Sequence, residues 1–380
     1  MTFQPLIPTV LTPVAVSVLT DPATGILAVA DALQPDLAQG FQIDALRLRL
    51  EMERAFGGSD ATGAWDWKLA YEAGEVALIL FLRKFGRALL ARAGSPAALL
   101  PILAKVAGLL PTHTRRSEEM ERFQQFSTPL PMGLAAMAAA QIAPHDLVLE
   151  PSAGTGLLAS LAEIAGGSLA LNELADTRAD LLRLLFPGCP VTRFDAAQID
   201  DHLDAGMRPS VILMNPPFSR SLGRGADHLA AVRHLAAAIR HLRGGGRLVA
   251  IMPDWFTTSA KMGDILKTTL APMTVRTSLR LDRAYTKHGT GIAVRLYVMD
   301  KIPGDRLPST IQRQTTAELL DTVEPTPRCA LIPERAPSPA APKAVSLFGS
   351  ARRAKPAEPR TFRAPVRNNV LPVAYEALET

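Results

Sequence analysis

Asn215-Pro216-Pro217-Phe218 sets an amide, two rigid rings and an aromatic face in consecutive positions, directly after the apolar run 211–214. Neither proline can donate to a sheet ladder, so a strand stops here and its last side chains are fixed at its C-terminal end. The chemistry such a step suits is alkylation of an exocyclic aryl amine. The lone pair of such an amine is delocalised into its ring, and two acceptors are needed to localise it. The Asn215 side-chain oxygen and the Pro216 carbonyl, held by the Pro216 and Pro217 rings, supply them, drawing the nitrogen toward tetrahedral geometry as a methyl group arrives in line. Phe218 offers a face on which a base flipped out of its duplex can stack. The alternative is a plain proline turn with Phe218 in the core.

A second constellation lies upstream, in Leu147-Val148-Leu149-Glu150-Pro151-Ser152-Ala153-Gly154-Thr155-Gly156. It reads as a short strand, a glycine turn and the start of a helix. Gly154 and Gly156 permit positive φ and bring backbone close to a ligand, with the unpaired N–H groups of a helix N-terminus behind them. Gly154-x-Gly156-x-x-Ala159 alone also fits the fingerprint for nicotinamide or flavin dinucleotides. The next strand ends at Asn172-Glu173, where a carboxylate can accept from both ribose hydroxyls of an adenosine-containing ligand, or simply cap the following helix. Asp195 closes the third strand in the same way, as an acceptor for an adenine amino group or as a cap. Ahead of the first strand, Phe123-Gln124-Gln125-Phe126-Ser127-Thr128-Pro129 is close enough to fold over the glycine turn. There Phe126 would pack on a ligand and Thr128 bond its polar end, unless Ser127 or Thr128 serves only as a helix cap.

Alternating elements must position these residues. Strands ending at Glu150, Asn172, Phe194 and Met214, then a fifth over 248–252, alternate with helices such as 175–185 and 228–242, the signature of βαβ units and a parallel sheet. Residues 274–283 and 291–300 face each other across Lys287-His288-Gly289-Thr290, which predicts a terminal antiparallel hairpin at the sheet edge. Residues 23–124 read as helical, with 41–56 and 65–93 the clearest segments, and constitute an all-α N-terminal domain over 1–122. Its Arg83, Lys84, Arg87, Arg92, Arg115 and Arg116 line either a groove or a solvated face. After Pro303 the character changes: ten prolines and nine Lys or Arg lie between Asp321 and Thr380, so 303–380 reads as a basic, Pro-rich, disordered linker.

The 380 residues are 48% hydrophobic and 20% charged, ordinary values for a globular protein with room for two domains. A net charge of +5 leans mildly toward polyanionic partners. Cys189 and Cys329 have no metal-ligand spacing, which makes a reduced, cytoplasmic setting the default and leaves metal out. The apolar N-terminus lacks a basic leader and is broken by Pro5, Pro8 and Pro13, unlike a signal peptide, and no stretch has the length of a membrane span.

In this order, Gln125-Phe126-Ser127-Thr128-Pro129, Glu150-Pro151-Ser152-Ala153-Gly154-Thr155-Gly156, Asn172-Glu173, Asp195 and Asn215-Pro216-Pro217-Phe218 resemble the S-adenosylmethionine-dependent amino-methyltransferases, specifically the adenine-N6 DNA type. The resemblance covers residues 123–302. It implies a Rossmann-like class I methyltransferase fold, α/β, with a mostly parallel seven-stranded sheet ending in an antiparallel hairpin. It also implies S-adenosyl-L-methionine as cofactor, held by Phe126, Thr128, Pro129, Glu150, Pro151, Ala153, Gly154, Gly156, Glu173, Asp195 and Asn215. Asn215, Pro216, Pro217 and Phe218 would act on the target amine, and Tyr285, in the loop before the hairpin, would be a second target-base contact. The phrasing around these residues, and the exit ending Val373-Ala374-Tyr375-Glu376, is similar to the methylase region that opens bacterial strawberry-notch-like proteins. Those continue into a helicase-like domain. No Walker pattern appears here, so the chain reads as a fragment or a stand-alone version. DNA is the partner implied, with RNA or protein amines as other substrates of the same step. A different class of reading is a non-catalytic nucleic-acid-binding module that works with a helicase-like partner.

Overall fold

The first four described α-helices each begin where a short polar side chain takes their unpaired N–H groups. In the computed structural model, which describes residues 21–113, 127–218, 220–221, 225–257, 263–286, 291–302, 311–313, 315–323 and 326–333, Asp21 accepts from the Ala23 and Thr24 amides at 3.3 and 3.0 Å to start α1 (Pro22–Gln39). Asp44, Asp66 and Ser95 do the same for α2 (Ala45–Phe56), α3 (Trp67–Ala93) and α4 (Pro96–Gly108). The expected helix over 41–56 therefore starts later, at Ala45. It buries Leu48, Met52 and Phe56, spaced four apart, and leaves Phe41, Leu46 and Leu50 exposed. Leu46 and Leu50, four apart, share the outward face of the helix, and Phe41 lies before its start.

These four helices do not make a core of their own. Their buried residues form one cluster with α5 (Leu130–Ala140), α6 (Leu157–Ala165) and one face of the sheet, including Val148, Leu171, Leu213 and Ile251. At Gly86 of α3, an added Cβ would sit 2.5 Å from Ile164 of α6, so the missing side chain is what lets the two helices approach. The boundary expected at residue 122 is thus not a boundary between cores.

The main sheet has eight strands: β1 (Leu147–Glu150), β2 (Ser168–Asn172), β3 (Val191–Thr192), β4 (Val211–Met214), β5 (Arg247–Pro253), β6 (Thr274–Leu281), β7 (Val294–Asp300) and β8 (Ile311–Arg313). Their spatial order is β3-β2-β1-β4-β5-β7-β6-β8. β1 through β5 are parallel to their neighbours, while β7 runs antiparallel to both β5 and β6, with Leu281 opposite Val294 and Thr274 opposite Asp300. This is the mostly parallel, Rossmann-like α/β sheet with a terminal antiparallel hairpin that the strand pattern predicts. The hairpin turn expected at Lys287-His288-Gly289-Thr290 lies outside the described residues. The eighth strand is additional: β8 pairs parallel with β6, and α10 (Thr316–Val323) follows it, burying Leu319, Leu320 and Val323. Part of the segment expected to be linker is therefore folded. Its proline-rich average hid three apolar residues on one helix face and two arginines with partners, Arg313 on Thr322 and Arg328 on buried Asp146.

One of those arginines belongs to an ionic lock under the sheet, opposite the strand ends that carry the motifs. Arg247 at the start of β5 is fully buried and grips Asp300 with two hydrogen bonds, at 2.8 and 3.1 Å. Its remaining donors meet the carbonyls of Ala139, Thr326 and Pro327 at 3.0, 2.9 and 2.8 Å. Asp300 also takes Arg276, and Asp146, before β1, takes Ser210 and Arg328. The strap over 326–333 is so tied to β1, β4, β5 and β7 together. Among the described residues no helix is long and apolar enough to cross a membrane.

Burial opposes ionisation of Asp300, but Arg247 and Arg276 outweigh it and hold its carboxyl below the ordinary value of 3.8. Because the folded-state value is depressed, the stabilisation is present at neutral pH and is lost as pH falls through that value. Asp300→Asn should therefore cost about 3–5 kcal/mol in denaturant unfolding at pH 7, the cost of leaving Arg247 buried and unpaired, and should flatten the loss of stability on acidification below pH 4. A change under 1 kcal/mol would mean that the pair contributes little.

Candidate functional site

The order of the sheet reverses between β1 and β4, and open α/β sheets bind ligands at the strand C-terminal ends beside such a reversal. Leu149 of β1 lies opposite Ile212 of β4. The glycine loop after Glu150 and the Asn215 step after Met214 therefore leave neighbouring parallel strands, about 4.8 Å apart, at the same edge.

The glycine loop has the backbone its residues imply. Gly154 and Gly156 adopt φ of 56° and 98°, and a Cβ at Gly156 would lie 2.7 Å from Phe186 and 2.9 Å from Leu182, so no other residue fits there without displacing the α7 (Asp176–Leu185) end. Glu173 accepts from the Gly154 amide at 2.8 Å with one oxygen and from the Ala175 amide at 2.9 Å with the other. It pins the loop and ties it to Ala175, the residue from which the next helix starts. Asp195 is a cap, accepting from Ala197 at 2.9 Å. Glu150 is buried beneath the loop. Burial pushes its carboxyl well above the usual range, against the hydrogen bond from the Ala159 amide, and its Oε2 has no partner among the described residues. Pro151 and Ala153 are buried too: Asn172 donates to the Pro151 carbonyl at 2.9 Å, and the Ala153 amide donates to the Asn172 carbonyl at 2.9 Å.

Asn172 was legible only as a strand end, yet it ties three strand exits together. Besides Pro151, its amide donates to the Phe194 carbonyl at 2.9 Å, and its oxygen accepts from the Phe194 amide at 2.9 Å and the Thr192 hydroxyl at 2.8 Å. His234 was not singled out either. It is buried 3.5 Å from the Ser152 hydroxyl and 3.9 Å from Asp195, and burial lowers it to about 4, so it stands neutral beside that acid at pH 7.

On the other side of the edge, Asn215 is half-buried and its Nδ2 donates to the Thr128 hydroxyl at 3.0 Å. That bond fixes the rotation of the amide plane and joins the segment before α5 to the end of β4. Thr128 is buried, and Pro129 is the residue from which α5 starts; Phe126 lies outside the described residues. Pro216 is buried, whereas Pro217 and Phe218 are half-buried, Phe218 with one side against the main core. Tyr285, expected as a second target-base contact, lies in the interior. It is completely buried, and its hydroxyl, pushed up by burial, lies against the Asn215 side chain. Four positions after β6, the ring packs into the main core, where it buttresses Asn215.

The helical layer adds charges that spacing alone did not reveal. Fully buried Arg178 on α7 binds Glu72 of α3 at 2.6 Å, and Glu72 also faces Lys68 at 3.6 Å. Glu75, one turn on, accepts from the Ser127 and Thr155 hydroxyls at 2.6 and 3.0 Å. Glu72, Glu173 and Glu75 all act on the charge of Arg178. No group of three metal-ligating side chains occurs among the described residues.

No protein-family model matches the chain, and no curated protein matches it either. Among solved structures, a modification subunit ascribed to a type I restriction enzyme of Vibrio vulnificus is similar at 20% identity and a TM-score of 0.42, covering 59% of this chain and 60% of that one. The chain thus spans less than two thirds of that protein. A protein of Listeria monocytogenes ascribed to the class I S-adenosylmethionine-dependent methyltransferases is similar at 14% identity and a TM-score of 0.45, covering 80% of this chain and 98% of that one. The methyltransferase subunit of a type I restriction-modification system from Streptococcus thermophilus is similar at 15% identity and a TM-score of 0.42, covering 78% and 73% of the two chains. At TM-scores below 0.5, these likenesses add nothing to the role of any residue.

The buried position of Tyr285 makes a prediction that separates it from a surface contact. Tyr285→Ala should cost about 3–5 kcal/mol in thermal or denaturant unfolding through the cavity it leaves, whereas Tyr285→Phe, which keeps the ring, should cost about 1 kcal/mol or less. Near-neutral effects of both substitutions would place the ring at the surface instead.

Proposed function

We propose that the protein transfers the methyl group of S-adenosylmethionine to the exocyclic N6 amine of adenine in DNA. The observation that carries this reading is the Asn215 amide, oriented by Thr128 at the edge it shares with the glycine loop. A dinucleotide dehydrogenase has no use for a fixed amide and proline carbonyl at the fourth strand.

The site residues fit such a donor. Glu173 retains lone pairs for ribose hydroxyls, Asp195 has a second oxygen for the adenine amine, and the unpartnered Glu150 oxygen lies beneath the loop. When bound, S-adenosylmethionine supplies an electrophilic methyl carbon on sulfur. Asn215 Oδ1 and the Pro216 carbonyl accept the two N–H bonds of the target amine, localising its lone pair on nitrogen. Transfer would place the methyl group on that nitrogen and leave the donor as a neutral thioether, and the methylated nitrogen would release its proton to solvent. Phe218, with one side packed and the other open, stacks on the flipped base. Tyr285, beneath Asn215, holds that amide in place without touching the base.

Incubation with S-adenosylmethionine labelled on its methyl group and a mixture of DNA and RNA, followed by nucleoside identification, should yield labelled N6-methyladenine from DNA. Asn215→Ala should lower transfer by about a hundredfold to a thousandfold while donor binding persists. Label found only in RNA or protein would reassign the substrate, unchanged transfer in Asn215→Ala would remove Asn215 from the mechanism, and donor binding without any transfer would favour a module that only positions nucleic acid.

A further inference from the structure

We infer that Glu75, on a helix of the N-terminal layer, is a donor-binding residue that takes the α-ammonium group of the methyl donor's amino-acid portion. The inference rests on the donor being S-adenosylmethionine and adds to that reading a contact from outside the α/β sheet.

Between Ala70 and Ile79, α3 is buried at every position except Glu75, which is half-buried. The helix thus turns a single carboxylate out of its packed face, and it does so against the two stretches that flank the donor site. Glu75 Oε2 accepts from Thr155, the residue between Gly154 and Gly156, at 3.0 Å. The same oxygen accepts from Ser127 at 2.6 Å, and the next residue, Thr128, holds the Asn215 amide at 3.0 Å. Both hydroxyls spend their protons on the carboxylate, which leaves their own oxygens as acceptors. A carboxylate flanked by two acceptor hydroxyls matches the three donors of a primary ammonium group.

Glu72 is neutralised by Arg178 at 2.6 Å and faces Lys68 at 3.6 Å. Both oxygens of Glu173 accept backbone amides on the ribose side of the loop. A second observation points to a ligand at the same loop: the buried Glu150 Oε2, with no partner among the described residues. The amino-acid end of the donor therefore lies between the glycine loop and the segment before α5, with α3 as its third wall. That would make the helical layer part of the catalytic unit.

The alternative is a clasp that merely holds the two loops together, and two ligands separate the cases. S-adenosylhomocysteine carries the amino-acid portion, and 5′-methylthioadenosine is the same adenosine thioether without it. In calorimetric titrations of the full chain, Glu75→Gln should weaken S-adenosylhomocysteine about tenfold or more, as loss of a charge-assisted contact implies, and leave 5′-methylthioadenosine within about twofold. Thr155→Val, which removes one acceptor hydroxyl and keeps the carboxylate, should reproduce the selective loss to a smaller extent and serves if Glu75→Gln does not fold. Equal weakening of both ligands, or of neither, would overturn the assignment. Failure of the unsubstituted protein to bind either ligand would instead defeat the donor reading beneath it.

Discussion

A buried guanidinium has to be matched by carboxylates, and the pairing of Arg178 with Glu72 is the constraint from which the site follows. Arg178 stands on the helix after β2, and its partner comes from α3, 106 residues earlier in the chain. Removing either partner would leave a charge stranded in the interior, a cost of several kcal/mol. The pairing therefore fixes the helical layer against the glycine loop. Once α3 is held there, Glu75 meets Ser127 and Thr155, and the segment that carries Thr128 reaches Asn215.

The two edges of the sheet divide the labour. At the N-terminal ends of the parallel strands, Arg247, Asp300, Asp146 and Arg328 form a closed set of ion pairs sealed by the 326–333 strap. That edge has its charges satisfied by one another. At the C-terminal ends the buried Glu150 Oε2 has no partner among the described residues. Unmatched polar groups are expensive in a folded chain and persist where a ligand completes them.

The elements that sequence made legible are those whose signal is local. The two glycines needed positive φ and have it; the prolines ended β4 at Met214; the alternation of apolar runs and helical spacing fixed the parallel sheet and its reversed hairpin. Glu173, read as a ribose acceptor or a helix cap, instead spends one bond from each oxygen on the backbone, at Gly154 and at Ala175. What escaped was long-range. Glu75 looked like one more polar residue on a long helix, because its partners are 52 and 80 residues away. Tyr285 sat in a polar loop by composition, and only its packing into the main core shows that it faces inward. The 311–333 segment was masked by its prolines, although Arg328 and Leu319 had partners waiting in the sheet and in the helices.

The central claim is that the pocket after β1 is built for a cation-bearing adenosine ligand. Calorimetric titration of the full chain with S-adenosylmethionine and, separately, with NAD tests it most directly. Saturable one-to-one binding of S-adenosylmethionine with no detectable binding of NAD is the predicted result. Tight binding of NAD without binding of S-adenosylmethionine would contradict it.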